Sequence, residues 1–237
     1  RPSAEIVLPA GVRVRCLLWL DRRTWLVGDD AGGLLRVAVP LNLLDASAYR
    51  CVRVFDCHAG RVAGLAALPG CHVAVTAGAD GSIRALDYLT GATLQARAFG
   101  AGASCMALLA PVGASCKVVV GFDDGSVRRL QRCSDGWLLL GAQRPHSAPV
   151  VVVTVARSGA RAATLAADGT AFFFDTPSPD EWRPIGFCHL PGGAPTCADW
   201  AHDGEHLLAG CASGAVVQVV APSPGSVDTT RWETHSY

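Results

Sequence analysis

Two histidines in this chain stand at the same spacing from an aspartate and a threonine. His58 lies 22 residues before Asp80, His146 lies 22 before Asp168, and Thr76 and Thr164 each precede their aspartate by four. Imidazole, carboxylate and hydroxyl are the parts of a hydrolytic relay, in which the carboxylate orients the ring and the ring deprotonates a nucleophile. The same groups also make a buried hydrogen-bonded chain, whose members satisfy one another and fix the loops that carry them. Repetition decides between the two. A nucleophile works in one exposed cleft beside an oxyanion-binding site, whereas these threonines sit in apolar strand segments and recur in two places. The spacing predicts two structural networks, His58–Thr76–Asp80 and His146–Thr164–Asp168, and no catalytic residue.

A second grouping could hold a metal: Cys197, Asp199, His202 and His206, with a His-x-x-x-His spacing. On a helix the two histidines would share a face, but here they flank Asp203-Gly204, a hairpin turn, and point apart. No Cys-x-x-Cys pair occurs, so neither a metal nor another cofactor is expected. Of the ten cysteines, Cys16, Cys105, Cys197 and Cys211 fall in strand segments and are expected as small, reduced, apolar packing residues.

The elements that must position these groups repeat. Turn glycines at Gly33, Gly81, Gly125, Gly169 and Gly214 are spaced by 48, 44, 44 and 45 residues, each followed by a short apolar strand. Asp-Gly supplies the positive φ of a two-residue hairpin, and one such turn per 40 to 45 residues is the period of four-stranded propeller blades. The chain is therefore expected to be all-β, a WD40-type β-propeller with about five blades near 12–55, 62–98, 103–143, 150–189 and 195–237, one domain over 1–237 and part of a larger, seven-bladed ring. Glu5 to Leu8, within residues 1–11, is the candidate closing outer strand, and Ala215 to Val220 the last third strand. Trp19 and Trp200 each lie 14 residues before their turn glycine, with a cysteine three residues earlier, which is the same register in the first and fifth blades.

Composition narrows the function. The 237 residues carry zero formal charge, half are hydrophobic, and Lys117 is the single lysine among scattered arginines. That lacks the basic stripe of a nucleic-acid binder. The longest apolar run, Val150 to Ala156, is too short to span a bilayer. Starting at Arg1 without a methionine, the chain reads as a segment of something longer. Neither a nucleic acid, a membrane nor a small-molecule substrate is expected as a partner.

In WD40 repeats the histidine, aspartate and hydroxyl are joined by a tryptophan of the third strand, for which this chain has Leu86 and Phe174; Leu86-Asp87 and Phe174-Asp175 replace Trp-Asp. More specific stretches are Asp56-Cys57-His58-Ala59-Gly60, Val120 to Arg128, Phe172-Phe173-Phe174-Asp175, Arg183-Pro184-Ile185-Gly186-Phe187 and Ala221-Pro222-Ser223-Pro224. They resemble the cilia- and flagella-associated protein 44 family, over roughly Cys51 to Pro224. The resemblance implies a non-enzymatic scaffold of the ciliary or flagellar axoneme. In that family it belongs to the tether and tether-head assembly, whose partners are tether-head subunits, an inner-arm dynein and the doublet microtubule. The competing reading is a cytoplasmic WD40 adaptor in an intraflagellar trafficking or ubiquitin-ligase complex. Partner contacts are expected on the rim and on the face of the d-to-a and b-to-c loops, at Arg61, Asp123, Asp124 and Arg144.

Overall fold

The computed structural model describes residues 8–39, 50–109, 116–178 and 180–223, and among them there is no helix. Among these residues nineteen strands form five antiparallel sheets. Blade 1 is β1 (Val14–Asp21), β2 (Thr24–Asp29), β3 (Gly33–Ala38) and β4 (Arg50–Asp56); blade 2 is β5 (Val62–Ala67), β6 (Val73–Gly78), β7 (Ser82–Asp87) and β8 (Thr93–Ala98). Blade 3 is β9 (Ala103–Leu108), β10 (Cys116–Phe122), β11 (Val127–Cys133) and β12 (Gly136–Gln143); blade 4 is β13 (Val150–Val155), β14 (Arg161–Ala166), β15 (Thr170–Ser178) and β16 (Glu181–His189). Blade 5 has three strands among the described residues: β17 (Pro195–Trp200), β18 (His206–Cys211) and β19 (Val216–Val220). Each strand pairs with its neighbour in sequence, so every blade is a meander. The expected closing strand at Glu5 to Leu8 lies, except for Leu8, outside the described residues.

The chain divides into two compact units, Arg1–Gly100 with blades 1 and 2 and Ala101–Tyr237 with blades 3 to 5. In the first unit the core is apolar side chains pressed between the two sheets: Leu26, Leu34, Cys57, Val62, Ala74 and Leu86. In the second, Val119, Val150, Ala162 and Phe174 fill the space between blades 3 and 4, and Leu165, Phe173, Trp200 and Leu207 that between blades 4 and 5. Burial of such side chains is worth roughly 1.5–3 kcal/mol each, which is what holds one sheet to the next.

The b-to-c turns differ from expectation in two respects. They are three-residue loops, not two-residue ones: the glycine amide donates to the residue three before it, as in Gly81 N to Gly78 O (2.9 Å), Gly125 N to Phe122 O (3.1 Å) and Gly169 N to Ala166 O (3.0 Å). A two-residue type I′ turn would need positive φ at the aspartate as well. Only glycines have positive φ here, so this is a type I turn closed by a left-handed glycine. In blade 1 that residue is Gly32 (φ 90°) and not Gly33, which opens β3.

Equal register does not give Trp19 and Trp200 equal surroundings. They pair with Trp25 and Leu207 across the same ladder position. Trp200 is 8% exposed and meets the Phe173 ring edge-on, whereas Trp19 is 61% exposed and stacks on Trp25. The sheet of blade 4 covers the first. Cys197, expected in a packed position, is exposed, while Cys57, Cys116 and Cys211 are buried.

Candidate functional site

His58 follows β4 in the loop between blades 1 and 2, and its backbone is held first. The Gly32 carbonyl accepts from the amides of Cys57 (2.9 Å) and His58 (3.1 Å) and from the Cys57 thiol (3.2 Å). A side chain on Gly32 would overlap the His58 carbonyl, so this glycine serves both positive φ and close approach. The imidazole then crosses to the turn of blade 2. Nδ1 lies 3.0 Å from Asp80 Oδ1 and 2.9 Å from Ser82 Oγ, and Nε2 lies 2.8 Å from Thr76 Oγ1. An ionised carboxylate only accepts, so Nδ1 carries the proton and donates to Asp80, while the Thr76 hydroxyl donates to Nε2.

Asp80 is the hub of this network. Its Oδ1 also accepts from the Ser82 amide (3.0 Å) and hydroxyl (2.8 Å), and its Oδ2 from the Ala59 amide (3.1 Å), with the Arg84 guanidinium at 3.6 Å. Burial alone would raise its pKa, but the hydrogen bonds from Ser82, Ala59 and His58 prevail and bring it down to about 2. His58 is lowered, because burial of the ring outweighs the pull of Asp80. The ring is neutral and the carboxylate charged at physiological pH.

Blade 4 repeats the residues but not the contacts. His146 Nε2 is 2.9 Å from Thr164 Oγ1, and Nδ1 is 2.7 Å from Thr170 Oγ1; Asp168 Oδ1 accepts from the Thr170 hydroxyl (2.6 Å) and amide (3.0 Å). The predicted direct contact of His146 with Asp168 is thus replaced by a relay through Thr170. The two blades differ beside the ring at one position. In blade 2 the turn begins at Gly78, where a Cβ would overlap the His58 ring; blade 4 has Ala166 at that position and the longer route through Thr170. Burial lowers the His146 pKa to about 4, against the opposing charge of Asp168.

Sequence reading missed Ser82, Ser126 and Thr170. Their signal was visible: each is the hydroxyl residue directly after Asp-Gly, two positions beyond the carboxylate that accepts both its amide and its hydroxyl. Blade 3 has the turn without the network, since Gly102 stands 22 residues before Asp124 and Val120 four before it. Arg61 precedes β5, exposed Asp123 opens the turn of blade 3, and exposed Arg144 follows β12. Asp124 is engaged internally, with Ser126 on Oδ1 and Arg128 3.3 Å from Oδ2. Of the suspected metal ligands, His206 Nδ1 contacts Asp203 Oδ2 at 2.6 Å, and among the described residues no group of three His, Cys, Asp or Glu could hold an ion.

Loops clamped by a neutral histidine, a turn aspartate and two hydroxyls, on sheets that pack face to face, define the class: this is a WD-repeat β-propeller. The model of the WD domain, G-beta repeat, matches residues 49–87, which run from the start of β4 to the end of β7 and contain His58, Thr76 and Asp80. The chain is similar to cilia- and flagella-associated protein 44 of Chlamydomonas reinhardtii, 32% identical over 94% of this chain and 14% of that protein. It is similar to the protein of the same name from Trypanosoma brucei brucei, 30% identical over 94% of this chain and 13% of that protein. The chain therefore spans only about a seventh of the length of these relatives. The computationally designed protein Ika8 shares the fold at a TM-score of 0.66 and 18% identity, over 86% of this chain and 57% of its own.

Proposed function

We propose that the chain is a non-enzymatic WD-repeat scaffold of the ciliary or flagellar axoneme, and that it serves in a tether or tether-head assembly linking an inner-arm dynein motor domain to the doublet microtubule. The observation that carries this reading is the similarity to cilia- and flagella-associated protein 44 along 94% of the chain. The networks fit it. Every polar atom of His58 that could do acid–base work is turned inward on Thr76, Ser82 and Asp80, a geometry that spends the imidazole on rigidity. A rigid frame with variable loops is what a stationary docking protein needs.

Expressed with a tag in a motile ciliated cell, the full-length protein containing this chain should remain with detergent-extracted axonemes and recover inner-arm dynein after crosslinking. Release into the soluble fraction, with a partner set free of axonemal proteins, would refute the proposal.

A further inference from the structure

Blades 2 and 3 pair the carboxylate just before the turn glycine with an arginine of the same chain, and blade 1, which has Ala31 there, pairs the last carboxylate of β2 with one. In blade 1 Asp29 receives Arg53 NH2 at 2.9 Å, in blade 2 Asp80 faces Arg84 NH2 at 3.6 Å, and in blade 3 Asp124 faces Arg128 NH2 at 3.3 Å. In the last two the arginine stands four residues after the aspartate, so β7 and β11 return its side chain to the turn. Blade 4 places Phe172 at that position. Asp168 keeps its contacts to Thr170 but has no ion pair among the described residues, and its side chain lines an open cavity of about 440 Å³.

The walls of that cavity have a definite chemistry. The Phe172 and Phe187 rings stack 5.1 Å apart at 16°, and Phe187 is 48% exposed. His146, Arg144, Pro145 and Ser147 complete the lining. A carboxylate beside an aromatic face is the complement of a guanidinium, which binds carboxylate through a fork of N–H donors and lies flat on π-systems. Blade 3 shows the arrangement within one chain: Arg128 pairs with Asp124 while its guanidinium carbon sits 4.1 Å over the Phe122 ring. Arg144 on the rim opposes a lone cation and suits an acidic neighbour of the incoming residue.

We propose that the Asp168–Phe172–Phe187 cavity takes the arginine side chain of a partner protein, from a segment in which an acidic residue adjoins that arginine. The partner's guanidinium pairs in trans with the turn carboxylate, as Arg84 and Arg128 do within blades 2 and 3. This deepens the scaffold reading and rests on it, naming one docking point on the blade.

The probe is a blocked Gly-Arg-Glu-Gly peptide titrated into the 237-residue chain, read by NMR of the phenylalanine ring protons. Saturable shifts of Phe172 and Phe187 are expected, with the citrulline peptide at least about tenfold weaker, the factor set by one charged hydrogen bond. Asp168→Asn keeps the turn acceptor and should weaken the arginine peptide about as much; Phe172→Arg should abolish binding by closing the cavity from within, as Arg84 and Arg128 do. Equal affinity for the citrulline peptide, or no effect of Asp168→Asn on a chain whose melting is unchanged, overturns the proposal. So does the absence of ring shifts at about 10 mM peptide, beyond the weakest useful affinity. Failure here with dynein still recovered on axonemes removes this pocket alone; loss of axonemal recovery by the unmutated protein removes the scaffold reading.

Discussion

Replacing the turn aspartate in blade 2 should cost more than the same replacement in blade 4. In Asp80→Ala the His58 Nδ1–H, on a side chain that is 0% exposed, loses its carboxylate, and the Ala59 and Ser82 amides lose their acceptor. A buried donor left unsatisfied costs about 1–3 kcal/mol. Ser82 Oγ, 2.9 Å from Nδ1, recovers part of one contact, which leaves roughly 2–3 kcal/mol in all once the loop amide is included. In Asp168→Ala the His146 ring keeps both threonine hydroxyls, and what is lost is the exposed turn contact to Thr170, about 0.5–1 kcal/mol. Thermal unfolding followed by circular dichroism should therefore drop by about 5–10 °C for Asp80→Ala and about 1–4 °C for Asp168→Ala, at roughly 2–4 °C per kcal/mol for a chain of this size. Equal losses would refute the claim that Asp80 touches its histidine directly and Asp168 does not.

The histidines also set an acid limit. Because the fold holds His146 neutral down to about pH 4 while the unfolded chain protonates it near 6.5, its contribution is complete above about 6.5 and is lost as pH falls toward 4. Between pH 7.5 and 5 that amounts to about 2 kcal/mol, absent in His146→Gln; urea unfolding at the two pH values checks it, and an unchanged pH dependence in the variant would contradict it. The turn carboxylates act lower, since Asp80 titrates at about 2 and its loss begins below 3.8. A methyl at Gly78 should push His58 onto the Ser82 route seen in blade 4, with Gly78→Ala destabilising by about 1–3 kcal/mol in denaturant titration; a neutral substitution would mean that Ala166 is not what displaces His146. Among the thiols, exposed Cys71 and Cys197 should react with Ellman's reagent first, while buried Cys57, whose pKa desolvation pushes up to about 12, stays protected in the native state; early labelling of Cys57 by mass spectrometry would be inconsistent with the packing.

What could be read from the residues and what could not follows the reach of each force. The glycine period marks the blades because positive φ is a local steric demand, met at Gly81, Gly125 and Gly169 whatever surrounds them. The loop length was not legible from Asp-Gly, which serves two-residue and three-residue hairpins alike; only the strand pairing on either side decides. The interval of 22 residues brought each histidine to its turn but not to the same contact, and the blades differ beside the ring at Gly78 against Ala166, a position outside the motif. Trp19 and Trp200 differ for a nonlocal reason, the neighbouring sheet that covers one of them within its unit. The exchange of Arg84 and Arg128 for Phe172 was present in the sequence as a break in an otherwise regular spacing. It acquires meaning only when the register of β7, β11 and β15 shows that the fourth residue after the aspartate returns to the turn. A carboxylate that its sister blades neutralise internally is then left at the mouth of an aromatic cavity, where any neutralising charge has to come from outside the chain's own repeat.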